Sequence, residues 1–507
     1  MIIIDGNSLN LEKFIKVVNY REEIQLSNDA IKKVNRSREF VEKIVREEKI
    51  VYGITTGFGK FSDVLISKED TMELQRNLIL SHACGIGNPL SEEIVRGIML
   101  LRINALSKGF SGIRLETLQT LVDMLNRGVH PIIPEKGSLG ASGDLAPLAH
   151  MVMVMIGEGE AIYKGKKMSG REAMQKANLE VISLQAKEGL ALINGTQVMT
   201  SVGSIALYEA INILKLADLS CALTTEALNG IKDAFDIKIQ NLRGHSGQTK
   251  TANNLIRFLN NSNNISKQGE LRVQDPYSIR CVPQVHGASK DAIGYVKNVL
   301  ETEMNAVTDN PIIFEEEQEV LSGGNFHGQP VALALDFLCI ALSELANISE
   351  RRLERLVNPS LNNGLPAFLT ENGGVNSGFM IVQYAAAALV SENKILSHPA
   401  SVDSIPSSGN QEDHVSMGTI ASRKALEITK NVKKVLSMEM LTACQAVDLR
   451  GNRGLGDGTK IVYKKIREFI PKLENDRIMY EDINKVEEFI FNDNFLTELE
   501  NKIIIEI

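Results

Sequence analysis

The sequence predicts a mainly α-helical protein, a long central helical bundle with a smaller mixed N-terminal portion. Three observations carry this reading. Apolar residues recur at helical spacing over long windows, beginning with Ile31, Val34, Val41, Ile44 and Val45. From about residue 200 to 470 such windows follow one another with only short breaks, the pattern of a bundle. Before about 200 the chain is richer in Gly and Pro and carries short β-like pieces, "IIID" and "KIVYGITTGFG". Residues 1–200 are therefore assigned to the mixed N-terminal domain and 201–507 to the central and C-terminal bundle.

The elements follow in order. "SNDAIKKVNRSREFVEKIVREE" opens at Ser27, a residue whose hydroxyl suits a helix N-cap. "SEEIVRGIMLLRINALSKG" repeats the design from Ser91. "LNNSNNIS" (259–266) is a polar loop. After Pro330, "VALALDFLCIALSELANISERRLERLV" runs from apolar to charged and stops before Pro359. Its first half has almost no polar face, which places it inside a bundle or between subunits. The chain closes on a charged amphipathic tail ending "FLTELENKIIIEI".

Composition narrows the function classes. The 507 residues are 43% hydrophobic and 23% charged, ordinary values for a soluble globular protein. A net charge of −8 with Lys and Arg spread along the chain argues against nucleic-acid or anionic-membrane binding. The five cysteines (Cys84, Cys221, Cys281, Cys339, Cys444) form no C-x-x-C pair, so they read as reduced thiols and not as a disulfide framework or zinc site. "MIIIDGNSL" is too short an apolar run for a signal peptide. No uninterrupted apolar run reaches membrane-spanning length, "FMIVQYAAAALV" being broken by Gln383. The expectation is a soluble cytoplasmic protein with a small-molecule substrate, no nucleic-acid or membrane partner and no metal.

One segment asks for chemistry: "GSLGASGDLAPLAH", residues 137–150. The hydrolase elbow G-x-S-x-G fails at its last position, because Gly140-Ala141-Ser142-Gly143 runs into Asp144. Pro131 and Pro134 also stand where that elbow needs a buried strand. A turn with Asp144 capping the next helix remains open. So does reaction of the segment with itself. Small residues at 141 and 143 let the Gly143 nitrogen approach the Ala141 carbonyl carbon, and Gly143 tolerates the dihedrals such a ring requires. Closure and loss of the Ser142 hydroxyl would leave an exocyclic methylene, an electrophile that the twenty side chains lack.

Other stretches supply polar groups that apolar packing does not explain. "VYGITTGFGK" (51–60) sets Tyr52 before a loop punctuated by glycines, a surface loop or a lid with hinges. "RNLILSHACGIG" presents Ser81-His82 after an apolar helical run, and "GLALINGTQ" brings Asn194-Gly195 out of another. In "VQDPYSIRCVPQVHGA", Gln274, Tyr277 and Arg280 recur every three residues, so one helical or 3₁₀ turn would align an amide, a phenol and a guanidinium. The guanidinium is a planar fork for a carboxylate, and the phenol can act as a base if cations lower its pKa. "GGNFHGQP" supplies Phe326 and "SSGNQEDHVSMG" supplies Glu412. "GLGDGTK" (454–460) fails the phosphate-loop pattern and is treated as a loop.

"GSLGASGDLAPLAH" resembles the signature of the aromatic amino acid ammonia-lyases, and matching segments run from about 50 to 420. In that family the Ala-Ser-Gly triad forms 4-methylideneimidazol-5-one (MIO), so the resemblance implies MIO from Ala141, Ser142 and Gly143 and no external cofactor. It implies catalytic roles for Tyr52, for Tyr277 in removing the β-proton and for Phe326 in packing on MIO. It implies substrate binding by His82, Asn194, Gln274, Arg280 (the carboxylate) and Glu412. Ser81-His82 with Glu412 is similar to the histidine-acting members, whose product would be trans-urocanate. Thr55 stands where those members usually have Asn, which keeps tyrosine, phenylalanine or aminomutase chemistry as the alternative. An inactive helical scaffold is the alternative outside the class. The family is homotetrameric, with each active site built from several subunits.

Overall fold

Several helices start where a side chain replaces a hydrogen bond that the first helical turn lacks. Ser27 Oγ accepts from Ala30 N at the head of helix Asn28–Arg46. Ser91 Oγ accepts from Ile94 N at the head of helix Glu92–Leu106. The computed structural model describes residues 1–57, 59, 64–67 and 70–507. Among these, nineteen α-helices and nine short strands make the protein mainly α, as the periodicity predicts.

The chain divides into two compact units. The first comprises Met1–Ala206, Lys297–Asp336 and Pro399–Arg423, and the second comprises Leu207–Val296, Phe337–His398 and Lys424–Ile507. All the strands belong to the first unit. Ile2–Ile4 pairs in parallel with Ile24–Leu26, and Val129–Pro131, Glu160–Tyr163 and Lys166–Ser169 form an antiparallel sheet. Two further antiparallel pairs are Ile86–Pro89 with Pro134–Lys136 and Ile312–Phe314 with Glu319–Leu321.

"IIID" is thus a strand, but "KIVYGITTGFG" is not. Residues 52–55 form a turn, followed by a single bridge between Thr56 and Leu65. The cause is local: Thr55 Oγ1 accepts from Val51 N at 3.0 Å and donates to Lys49 O at 2.6 Å, while Thr56 Oγ1 accepts from Gly53 N. Threonine hydroxyls offer the backbone these partners in place of a ladder. Phe58 and Lys60 of this loop lie outside the described residues.

Helix Glu92–Leu106 is the core of the first unit, with every residue from Ile94 to Leu106 buried. Its buried Arg96 is held largely by backbone carbonyls. Arg96 donates to Val17 O and Leu125 O, tying the helix to the C-terminal ends of its two neighbours, Leu11–Val18 and Leu115–Arg127. Cations suit helix C-termini. Beside this, Phe40, Val41, Ile44, Ile54 and Ile313 close an apolar cluster.

The second unit carries charge through its interior. Lys290 Nζ lies 2.7 Å from Asp218 Oδ2, and Asp218 Oδ1 lies 2.8 Å from His286 Nδ1. His286 Nε2 faces Arg352 at 3.4 Å, and Arg352 donates twice to Glu439, at 2.6 and 2.8 Å. Thr224 and Ser349 hydroxyls donate to the same carboxylate. Burial raises the Asp218 carboxyl, but Lys290 and His286 outweigh it and hold it below the usual carboxylate range.

One described helix, Gln329–Val357, is long and apolar enough to cross a membrane by length and composition, at mean hydropathy 1.9 over its best window. The helix is not an uninterrupted apolar run, since Asp336 and Glu344 interrupt it. Two thirds of the window (67%) is buried inside the protein, as in a core helix.

The buried pair gives a test of the second unit. Replacing Glu439 with Leu leaves the Arg352 charge buried and unpaired, a loss of about 3–5 kcal/mol. Urea unfolding should show that loss, and Glu439→Gln, which keeps hydrogen-bond acceptors, should lose less.

Candidate functional site

Ser142 sits in a clamp made by two other stretches of the first unit. On one side the backbone of Gly143 pairs with Gly195 in a parallel bridge, and Asp144 N donates to Gly195 O at 2.7 Å. On the other, Met417 N donates to Leu139 O at 2.8 Å, and Ser416 Oγ donates to Gly140 O at 2.8 Å. Gly143 has φ +74°, and a Cβ there would lie 2.2 Å from Gly195 O. Both conformation and space demand glycine.

Asp144 does not cap the helix that follows it. Helix Leu145–Met155 receives no side-chain cap bond from Asp144. Its carboxylate instead accepts from Val198 N and Met199 N, both at 2.9 Å, in the first turn of helix Gln197–Ala227. Ser138 and Thr419 hydroxyls donate to its other oxygen. Burial raises this carboxyl above the usual range against the pull of those four donors. The carboxylate fastens the Ala-Ser-Gly turn to a helix N-terminus, where anions are stabilised.

Ala141 and Ser142 open onto a cavity of about 1020 Å³ lined wholly by the first unit. Tyr52, His82, Asn194, Phe326 and Glu412 line it too. Asn194 Nδ2 donates to Ser142 O at 2.8 Å, and Ser142 Oγ donates to Glu412 Oε1 at 2.9 Å. Tyr52 accepts from Gly59 N at 3.3 Å through its phenol oxygen. His82 ends helix Thr71–His82, with Nδ1 3.1 Å from Ser81 Oγ. Burial lowers the His82 pKa, and the Leu78 carbonyl and the Glu412 carboxylate oppose this only in part. The imidazole is thereby kept neutral, free to give or take one hydrogen bond.

Gln274, Tyr277 and Arg280 belong to the second unit and do not line this cavity. The single turn expected to align them is realised only in part. Helix Tyr277–Arg280 begins after Pro276, so Gln274 falls outside it. Tyr277 is 69% exposed, and the Arg280 guanidinium lies 4.6 Å from its ring centre. Gln274 lines a separate cavity of about 250 Å³ with Arg272 and Arg355.

Sequence reading missed several lining groups. His327 and His414 stack at 5.7 Å with planes 5° apart, and His327 Nε2 lies 3.3 Å from His414 O. They are chain neighbours of Phe326 and Glu412, so they tie those two segments together, and that adjacency was the available signal. Asn310 also lines the cavity, its Oδ1 accepting from Ser322 Oγ and Gly323 N. Nothing in its sequence context marks it. No group of three or more His, Cys, Asp or Glu among the described residues is arranged to hold a metal ion.

Comparison with known proteins agrees with this geometry. The family model for aromatic amino acid lyases matches residues 9–468. The histidine ammonia-lyase of Alkaliphilus oremlandii (strain OhILAs) is 62% identical over 502 residues, covering 99% of each chain. Among solved structures, the histidine ammonia-lyase of Trypanosoma cruzi superposes with a TM-score of 0.92 at 42% identity, over 99% of this chain and 95% of that one. The tyrosine aminomutase of Streptomyces globisporus superposes with a TM-score of 0.96 at 37% identity, over 100% and 99%. With a family match across most of its length around a clamped Ala-Ser-Gly turn, the chain belongs to the aromatic amino acid lyase family.

Proposed function

We propose that the protein eliminates ammonia from L-histidine to give trans-urocanate, the opening step of histidine breakdown, using MIO formed from Ala141, Ser142 and Gly143. The observation that carries this reading is the convergence of Ser142, His82 and Glu412 on one cavity. A neutral imidazole and a carboxylate are matched partners for the two nitrogens of a substrate imidazole. The names of full-length relatives support the same substrate. Thr55, the residue that kept tyrosine and phenylalanine open, spends its hydroxyl on the backbone of its own turn and does not line the cavity.

The residues present fit MIO. The Gly143 nitrogen belongs to a residue with no room for a side chain, and Asn194 already donates to the Ser142 carbonyl. Once formed, the group supplies an electrophile for the substrate's amine, which makes nitrogen a better leaving group. The chain's own side chains do the rest. Glu412 accepts the substrate imidazole N–H and His82 holds the other ring nitrogen. Phe326 gives an apolar wall, and Tyr52 closes the mouth with the glycine loop. Arg280 binds the carboxylate, Gln274 helps to hold the substrate and Tyr277 takes the β-proton.

These last three act, in this reading, in the cavity of a neighbouring copy within a homotetramer. Two features support that: the exposure of Tyr277, and the exposed apolar side chains Phe337, Ile340, Ile381 and Tyr384 in the same unit. Five cysteines without a disulfide support a cytoplasmic location.

Ammonia release measured side by side on histidine, tyrosine and phenylalanine tests the substrate. Histidine should be turned over fastest; faster release from tyrosine overturns the assignment. Ser142→Ala should fold normally and lose activity to the detection limit, since no methylene can form. Near-normal turnover by that variant refutes the MIO proposal. Glu412→Gln removes a charge-assisted hydrogen bond of about 1.5–3 kcal/mol, so kcat/KM for histidine should fall roughly tenfold to a hundredfold. An unchanged value would remove Glu412 from ring recognition.

A further inference from the structure

Behind the clamp, on the side away from Gly143, lies Arg102. It belongs to the core helix Glu92–Leu106 and is fully buried. Its Nη1 donates to Asn194 O at 2.9 Å, to Gln197 Oε1 at 2.9 Å and to Thr308 O at 3.3 Å, and its Nη2 donates to Ala191 O. All four acceptors are neutral oxygens. Asp309, the carboxylate that acts on it, is engaged by Lys187 at 2.9 Å.

A buried guanidinium without a carboxylate contact is costly, and its Nε finds no hydrogen-bond partner at all. Apolar packing alone would be served better by Leu or Met at this position in an otherwise apolar stretch, "IMLLRINAL". What the guanidinium does instead is gather three separate pieces of chain, two through backbone carbonyls and one through the Gln197 side-chain amide. It caps the carbonyl end of helix Glu188–Ile193, grips the start of helix Gln197–Ala227 and holds the strand of chain leading to Asn310.

Gly195 is the layer between this cation and the Ala-Ser-Gly turn. A Cβ on Gly195 would lie 2.4 Å from Arg102 Nη1, and a Cβ on Gly143 would lie 2.2 Å from Gly195 O. Neither glycine has room for a side chain between the guanidinium and the turn. The next residue back, Asn194, is gripped by Arg102 through its carbonyl and grips Ser142 through its side chain.

We propose that Arg102 is a positioning residue for formation of the electrophile, holding the Asn194–Gly195 peptide against Ser142 and Gly143 while the turn closes on itself. The inference rests on the MIO reading above. In the step concerned one bond forms, between Gly143 N and Ala141 C, and two waters leave. The first takes the Ala141 oxygen with the hydrogens of Gly143 N and Ser142 N. The second takes the Ser142 hydroxyl with the hydrogen on Ser142 Cα. No oxidant is needed. Arg102 touches neither substrate nor reacting atoms; it acts through Asn194 and Gly195. A fork that satisfies several carbonyls at once is a task lysine performs only in part.

The test is the intact mass of the soluble, folded fraction of the full-length wild type, Arg102→Met and Arg102→Lys, with circular dichroism and a thermal melt on the same samples. A merely structural role would lower the melting temperature but leave folded chains fully dehydrated. The expected result is a fully dehydrated wild type and a folded Arg102→Met in which dehydration is slowed on the order of a hundredfold, the cost of an ångström-scale misplacement. Arg102→Lys should fall between them, with kcat scaling with the dehydrated fraction and KM unchanged. If Arg102→Met is insoluble, the lysine variant decides. Either folded variant losing both waters at the wild-type rate overturns the inference. A wild type at full mass instead overturns the proposed function, and this inference with it.

Discussion

The site depends on one steric constraint: two backbones meet at Gly143 and Gly195 at a separation that admits no side chain on Gly143. Such contact is expensive to maintain, because it leaves a turn no rotamer or packing freedom and must be imposed by its surroundings. Each neighbour of the contact does part of that work. Asp144 fastens the turn to the first turn of helix Gln197–Ala227, Ser416 and Met417 fix it from the other face, and Arg102 holds the Asn194 carbonyl beside Gly195. A large interior makes this possible, since helix Glu92–Leu106 is buried along nearly its whole length and gives Arg102 a rigid base.

The same logic separates what the two units do. The first unit sets several of its buried polar groups, among them Asp144, Asn194 and Arg102, around the clamp. The second uses its own on each other, in the line Lys290–Asp218–His286 and in the pair Arg352–Glu439. Buried ionic groups of the second kind set which helices pack together more than they add stability. The groups of the first kind hold the Ala-Ser-Gly turn at a cavity that His82, Asn194 and Glu412 also line.

How much of this could be read from the sequence follows from how far each interaction reaches. Helix starts at Ser27 and Ser91 are legible because a cap bonds three residues on. The first-unit residues singled out through motifs, Tyr52, His82, Ala141, Ser142, Asn194, Phe326 and Glu412, line one cavity in the structure. Asp144 was legible as a capping carboxylate but for the wrong helix, because the helix it serves starts more than fifty residues later and arrives only through the Gly143–Gly195 bridge. "KIVYGITTGFG" looked like strand from its β-branched residues, yet its threonines bond their own turn. Arg102 was overlooked inside an apolar window, although a buried cation on a core helix is itself a signal that something polar converges there.

The claim on which everything else turns is that residues 141–143 leave the ribosome as Ala-Ser-Gly and do not remain so. Tandem mass spectrometry of the proteolytic peptide spanning 137–150 from the purified wild-type protein addresses it directly. The account predicts a peptide lighter by two water molecules, with fragment ions placing both losses between Leu139 and Asp144. A peptide of full mass, carrying an intact Ser142 in active protein, would contradict it.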